Sequence, residues 1–417
     1  MVAVTFLVML VTAGAVGAPG VFIEPLEREF GWRTDEISSA IAIRFALFGL
    51  MGPFAAAFMN WLGVRRVVLF ALGIILFGLG TSLFMGEVWQ LILLWGVVVG
   101  VGTGLMAIVL GATVAMRWFA ERRGLVLGLL TASSASGQLV FLPLLAKLTE
   151  TWGWRPALGL VVGAILATAA VVLAFMRDRP SDVGLLPYGA HEAAVAPPAP
   201  ASGSLGAALL APLLILKDAA RSGVFWLLFG TFFICGVSTS GLLQTHFIPL
   251  CSDYGVAAVS AAGILAMMGV FDFFGTLASG WLSDRYDNRW LLFWYYGLRG
   301  LSLIYLPFSD FSLLSLTLFC MFYGLDWIAT VPPTVKLTAE RFGDARANVV
   351  FGWIFAGHQL GAAASAYGAG LTRMVYLTYM PALIVAGGFC VLAAIAFALM
   401  RTIEGPRQPQ LVAGAPA

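Results

Sequence analysis

Charge is what this 417-residue chain most lacks. Asp, Glu, Lys and Arg together make up 11% of it, against about 25% in an ordinary soluble domain. That shortage argues against a water-soluble fold and fits a chain whose solvent is mostly hydrocarbon, where ionisable groups are costly. Cysteine is scarce as well: Cys235, Cys251, Cys320 and Cys390 form no CxxC pair, so neither a disulfide framework nor a metal site is expected. No Walker, HExxH or GxSxG motif occurs. The glycines at 100, 102, 104 and 111 follow no strand, so they serve helix packing and not phosphate binding. An ATP-driven pump and a membrane-embedded hydrolase are thereby disfavoured, and no enzyme activity, cofactor, metal or nucleic-acid partner is expected.

What is present is apolar length. Hydrophobic residues are 60% of the chain and the mean hydropathy is +0.94. A spanning helix needs about 20 apolar residues. Stretches such as 67–85, 156–176 and 379–400 reach that length almost without charge. A signal peptide would explain one such run, not a dozen. The pattern predicts twelve spans, at about 3–23, 36–59, 67–85, 89–116, 124–147, 156–176, 224–247, 258–282, 290–308, 311–335, 347–370 and 378–400. Between the sixth and seventh lies a Pro/Ala-rich linker, 177–222. Its apolar segment 205–216 is too short to span and reads as an interfacial helix.

Basic residues are strongly sided. If the N-terminus is cytoplasmic, sixteen Lys and Arg fall on inner segments and five on outer ones, with Arg44 and Arg299 inside helices. The positive-inside rule then puts both termini and the linker in the cytoplasm of a cell (inner) membrane.

The two halves repeat. Phe22-Ile23-Glu24-Pro25-Leu26 returns, one residue shorter, as Phe247-Ile248-Pro249-Leu250. Phe30-Gly31 matches Tyr254-Gly255, and Asn60-Trp61 with Arg66 matches Asp284-Arg285 with Arg289, both at an offset of 224. Ala135-Ser136-Gly137-Gln138-Leu139 matches Ala356-Gly357-His358-Gln359-Leu360 at 221. Several matches near one offset imply an internal duplication. The expected fold is an all-α membrane protein of two pseudo-symmetric six-helix bundles, 1–176 and 223–400, with a cytoplasmic tail from 401 to 417. In such folds substrate binds near the bilayer midplane, between the repeats.

The loop Gly280-Trp281-Leu282-Ser283-Asp284-Arg285-Tyr286-Asp287-Asn288-Arg289 resembles the G-x-L-x-D-R-x-x-R-R signature of the major facilitator superfamily. Its first-half copy keeps Gly52, Arg65 and Arg66 but has Asn60 and Trp61 where the signature has Asp and Arg. The resemblance implies secondary transport by alternating access, with Gly280, Asp284, Arg285, Arg289, Arg65 and Arg66 as a cytoplasmic gate whose second-half copy dominates. Gly20-Val21-Phe22-Ile23, Phe30-Gly31-Trp32, His246 and Asp272 look like the monocarboxylate porter and oxalate–formate antiporter branch. That branch places a substrate-binding arginine one turn after the acid of the eighth helix. Thr276 stands there in this chain, so an anion-binding cation must come from elsewhere.

An ionisable residue at membrane depth is a functional candidate by default. Arg44 is expected about 12 Å below the outer surface, on a face turned to the cavity, where a guanidinium can grip a carboxylate; its bland alternative is an inter-helix structural pair. Arg299 needs a partner, Asp272 or Asp326, forming an ion pair that is structural or carries proton coupling. His246 either relays a proton or caps a helix end. Gln138, His358 and Gln359 either orient a polar ligand or glue helices together. Tyr323 and Trp353 are candidates for an aromatic cavity wall. The leading expectation is a monomeric transporter of a small organic anion, of monocarboxylate type, coupled to a proton or a counter-anion. The alternative is an exporter of amphipathic or toxic compounds by proton antiport, suggested by Thr276 and the aromatic-rich helices.

Overall fold

A computed structural model describes residues 1–106, 108–119, 123–189, 205–283 and 285–400, with some side chains inside the helices left out. Among the described residues the chain forms no strand, and it crosses the molecule twelve times as helix. The first half runs α1 (Val2–Phe30), α2 (Thr34–Leu62), α3 (Val64–Ser82), α4 (88–118, interrupted), α5 (Arg123–Trp152) and α6 (Trp154–Phe175). A linker helix, Leu205–Ala219, follows. The second half holds α7 (Gly223–Asp253), α8 (Ala258–Ser283), α9 (Asn288–Tyr305), α10 (Leu313–Phe342), α11 (Asp344–Tyr376) and α12 (Met380–Leu399). Nine described helices are long and apolar enough to cross a bilayer by themselves.

The internal repeat is visible in backbone detail. Gly31 and Gly255, 224 residues apart, both end their helices in the left-handed region, at φ 69° and 78°, where a side chain is disfavoured. Arg65 and Arg289, also 224 apart, do the same job. The Arg65 guanidinium donates to the Leu173 carbonyl at the end of α6, and Arg289 Nη1 donates to the Met400 carbonyl beyond α12 at 2.8 Å. Each arginine satisfies carbonyls that a helix C-terminus leaves without partners. The equivalent helices α1 and α7 are both irregular in mid-course. Pro19 interrupts α1, and a π-helical stretch, Val237–Gln244, interrupts α7.

Two pairings dominate the seam between the halves, α2 with α11 and α5 with α8. They exchange under the repeat, as a two-fold arrangement requires. The second part of α1 packs against the end of α7, with Gly20 lying on the Gln244 and Thr245 carbonyls. At the opposite end the linker helix contacts both α2 and α11.

Three sequence expectations change. The tenth span is predicted as one helix over 311–335, whereas the chain unwinds from Trp327 to Thr330 and resumes as Val331–Phe342. Proline is the reason: Pro332 and Pro333 have no N–H and cannot continue the ladder. Among the described residues the gate arginines make no bond across to the other half. Arg65 and Arg289 bind within their own halves, Arg285 lies over its own Trp281 ring at 4.1 Å, and Arg66 is exposed; Asp284 lies outside the described residues. Finally, the acid missing at Asn60 is replaced from α6's end, because Asp178 Oδ1 accepts from the Arg65 backbone N–H at 2.8 Å. In the second half Arg289 binds Asp287 at 2.6 Å and holds that loop carboxyl below the usual carboxylate range.

Candidate functional site

The break in α10 is where the buried charges converge. Gly275 on α8 makes this possible: a Cβ there would overlap the Leu325 carbonyl, so only glycine lets α8 and α10 approach so closely. Immediately beyond that contact the helix opens and exposes backbone groups that hydrocarbon cannot satisfy. Side chains from the neighbouring helices take them up. Arg299 of α9, 1% exposed, donates through Nη2 to the carbonyls of Asp326 at 2.5 Å and Trp327 at 3.2 Å. Asp272 of α8 accepts the Ile328 N–H on Oδ1 at 2.9 Å, together with the Thr276 hydroxyl at 3.0 Å. Ser279 donates to the Ala329 carbonyl at 2.5 Å, the acceptor that Pro333 deprives of its usual N–H.

Arg299 also makes an ion pair. Its Nε reaches Asp326 Oδ2 at 2.6 Å, and Nη1 reaches Cys235 Sγ of α7 at 2.9 Å. Taking an arginine and an acid out of water costs several kcal/mol per ion, which attraction offsets only when the remaining donors are bonded. Arg299 meets that condition with four acceptors. Asp326 does not, because its Oδ1 is buried with no bonded partner among the described residues. Asp272, 5% exposed and bonded to the Ile328 N–H of the same turn, is a second buried acid at the break.

The other candidates do not join this cluster. Arg44, expected to face the space between the halves, lies inside the first bundle at 3% exposure. Around it Pro19, Leu79, Trp95 and Leu158 wall a cavity of about 10 Å³. Leu79 and Leu158 belong to α3 and α6, which pack only within the first half in the principal helix contacts. Among the described residues Arg44 makes one hydrogen bond, and it is long, 3.4 Å from Nη1 to the Ala15 carbonyl, which Pro19 leaves without its helical donor. Its guanidinium also sits 4.9 Å from the Phe45 ring centre, and no carboxylate pairs with it among the described residues. His246 is buried at the far end of the second half, where its Nε2 lies 2.8 Å from the Ala366 carbonyl and its ring packs on Tyr379. That is a helix-to-helix tie.

The seam itself is lined by α11. His358 is half-buried, stacked on Phe355 and 3.4 Å from the Thr239 hydroxyl; Phe355 meets Phe48 of the first half edge-on. Gln359 is buried against Gly49 of α2, its Oε1 without a partner. The Gln138 side chain lies outside the described residues. Neither aromatic candidate lines the Arg44 cavity or the recess under the linker helix. Tyr323 is buried in the second bundle, donating to the Ser238 carbonyl at 2.7 Å. Trp353 donates to the Pro212 carbonyl of the linker helix at 2.9 Å. Sequence reasoning missed Cys235, Ser279 and the Ile328 amide; Pro332-Pro333 inside an apolar span was the available signal.

A model of the Major Facilitator Superfamily matches residues 5–366. The chain belongs to that superfamily. It is therefore a multi-pass membrane transporter and not an enzyme. Monocarboxylate transporter 13 of Rattus norvegicus is 27% identical over 90% of this chain and 82% of its own. The uncharacterized MFS-type transporter YcxA of Bacillus subtilis is 25% identical over 84% and 82% respectively. The partially occluded inward-open structure of the xylose transporter XylE from E. coli superposes with a TM-score of 0.71, covering 98% of this chain and 99% of that one at 13% identity. That last likeness concerns the fold alone.

Proposed function

We propose that this transporter carries a small organic anion of the monocarboxylate type across a cell membrane, coupled to a proton or exchanged for a second anion. The observation that carries the reading is a pair of buried acids at a break in a spanning helix, Asp326 paired with Arg299 and Asp272 bonded to the Ile328 amide. Broken helices and buried acids mark ion and proton sites in secondary transporters. The names of the relatives, monocarboxylate transporters 13 and 11, support the substrate class. In this reading the bundles 1–176 and 223–400 rock about the α2/α11 and α5/α8 seams, with both termini and the linker cytoplasmic. His358 and Gln359 present unbonded polar atoms at the seam, where a ligand between the halves would find them. Arg44 holds donors without acceptors on the other side of α1.

Uptake into proteoliposomes tests the proposal. Labelled short-chain monocarboxylates should accumulate when the outside is made acidic, or when a monocarboxylate is preloaded inside, and a proton ionophore should abolish the first effect. No uptake of any carboxylate under either gradient, with efflux of lipophilic compounds instead, would replace the reading by the amphipath exporter.

A further inference from the structure

The unwound turn of α10 is held from two sides by groups of opposite charge. On one side Arg299 takes the carbonyls of Asp326 and Trp327. On the other, Asp272 takes the Ile328 N–H, while Ser279 takes the Ala329 carbonyl. Of these only the Ser279 bond replaces one that proline forbids, because Pro333 cannot donate to the Ala329 carbonyl. The Ile328 carbonyl that Pro332 leaves accepts the Val331 N–H of α10 itself at 2.8 Å, while the side-chain bonds to the break come from α8 and α9. The geometry of α10 across the break is therefore set in part by its neighbours. We propose that residues 327–330 form a hinge latched by Asp272, and that a proton arriving on Asp272 releases the Ile328 amide and frees the two segments of α10 to change their mutual angle.

The chemistry fixes the direction. An ionised carboxylate accepts from an N–H about twice as strongly as a neutral acceptor does. Ile328 and Thr276 both donate to one oxygen of Asp272, so both bonds weaken together when the charge is lost. The charged and titratable groups acting on that carboxyl are Arg299 of α9 and Cys235 of α7, with Asp326 of α10 coupled to it through the shared cluster. On α5, which also packs against α8, the described charged side chains Lys147 and Glu150 pair with each other on an exposed turn. Because Arg299 is already bound to Asp326, neutralising Asp272 leaves the carbonyl side of the break capped and loosens only the amide side. A transporter needs such an asymmetry if one proton is to bend a gate helix without unfolding it.

This inference rests on Asp272 as the proton-coupling acid, and the test separates the two. Hydrogen exchange of the full-length protein in lipid nanodiscs is followed by mass spectrometry at two pH values, corrected for the intrinsic pH dependence of exchange, for the wild type and Asp272→Asn. Asparagine keeps a neutral oxygen acceptor in place, so the fold is retained. In the wild type the peptide covering 324–334 should exchange about tenfold faster at the lower pH, while a reference peptide in α12 is unchanged. In Asp272→Asn that peptide should be fast at both pH values. Equal corrected rates at the two pH values in the wild type, or pH sensitivity that persists in Asp272→Asn, overturn the hinge. Uptake by the same variant reads the other question. Loss of proton-driven uptake in Asp272→Asn with a hinge that is pH-insensitive in the wild type removes the latch and keeps the coupling acid. A hinge that is pH-sensitive in the wild type and pH-insensitive in Asp272→Asn, with proton-driven uptake intact in that variant, removes the coupling role and keeps the latch.

Discussion

Arg44 is a buried cation with no acid beside it among the described residues. It has five donors, one long hydrogen bond and no carboxylate partner, and it lies at 3% exposure in a pocket otherwise apolar. Burying an unpaired cation costs several kcal/mol, and one bond to the Ala15 carbonyl does not offset that. Methionine fills a similar volume and adapts to irregular space. Arg44→Met should therefore raise the thermal unfolding midpoint in detergent, by about 1 to 3 kcal/mol of stability, and reduce uptake in the same preparation. A lower midpoint would mean that Arg44 is a structural tie in the first bundle. A raised midpoint with full uptake would remove it from transport. The sequence pointed to this residue correctly as unusual but not to its surroundings. Depth and charge are legible from a hydropathy pattern; the direction of one side chain is not. That Arg299 pairs with an acid was legible, because a buried arginine demands one, but the choice between Asp272 and Asp326 was not; the structure gives Asp326. The tie made by His246 was not legible either, since its partner is a backbone carbonyl 120 residues away, and carbonyls carry no sequence signature.

At the scale of elements, the linker helix is more than a tether. It lies against α2 and α11 at once, where it encloses an apolar recess of about 390 Å³ with Met51, Phe54 and Phe58. Trp353 of α11 fixes it by donating to the Pro212 carbonyl, while the Trp353 ring meets Phe54 of α2 edge-on at 6.1 Å. One indole thus ties the linker helix to the α2/α11 seam. Trp353→Phe preserves the aromatic contact and deletes the hydrogen bond, worth about 1 kcal/mol. Amides of Leu205–Ala219 should then exchange severalfold faster while those of α2 and α11 keep their rates. Unchanged exchange in that helix would show that apolar packing alone holds it. The shortness of the apolar segment 205–216 was legible as a helix that does not span. Its docking site was not legible, since Trp353 in an apolar helix looks like any interface marker. The break in α10 was half legible: Pro332-Pro333 forecasts a discontinuity, but only three-dimensional proximity shows that Arg299, Asp272 and Ser279 complete it.

The whole molecule repeats its logic twice, and the repeat also constrains how it sits in the membrane. Arg65 and Arg289 cap the ends of α6 and α12 at the end of the molecule that also carries the linker helix. Placing that end in the cytoplasm puts sixteen basic residues inside and five outside, the sense in which membrane insertion favours them; the opposite orientation would reverse the ratio. The four native cysteines are all buried, so single exposed thiols can be added without removing them. Glu87, on the turn between α3 and α4, and Asp218, at the end of the linker helix, are both exposed and lie at opposite ends. In intact cells an impermeant maleimide should label Glu87→Cys at once and Asp218→Cys only after permeabilisation. The reverse pattern would place the linker outside and invert the direction in which the Asp272 latch meets its proton. Labelling at both positions in intact cells would break the two-ended topology that the duplication demands.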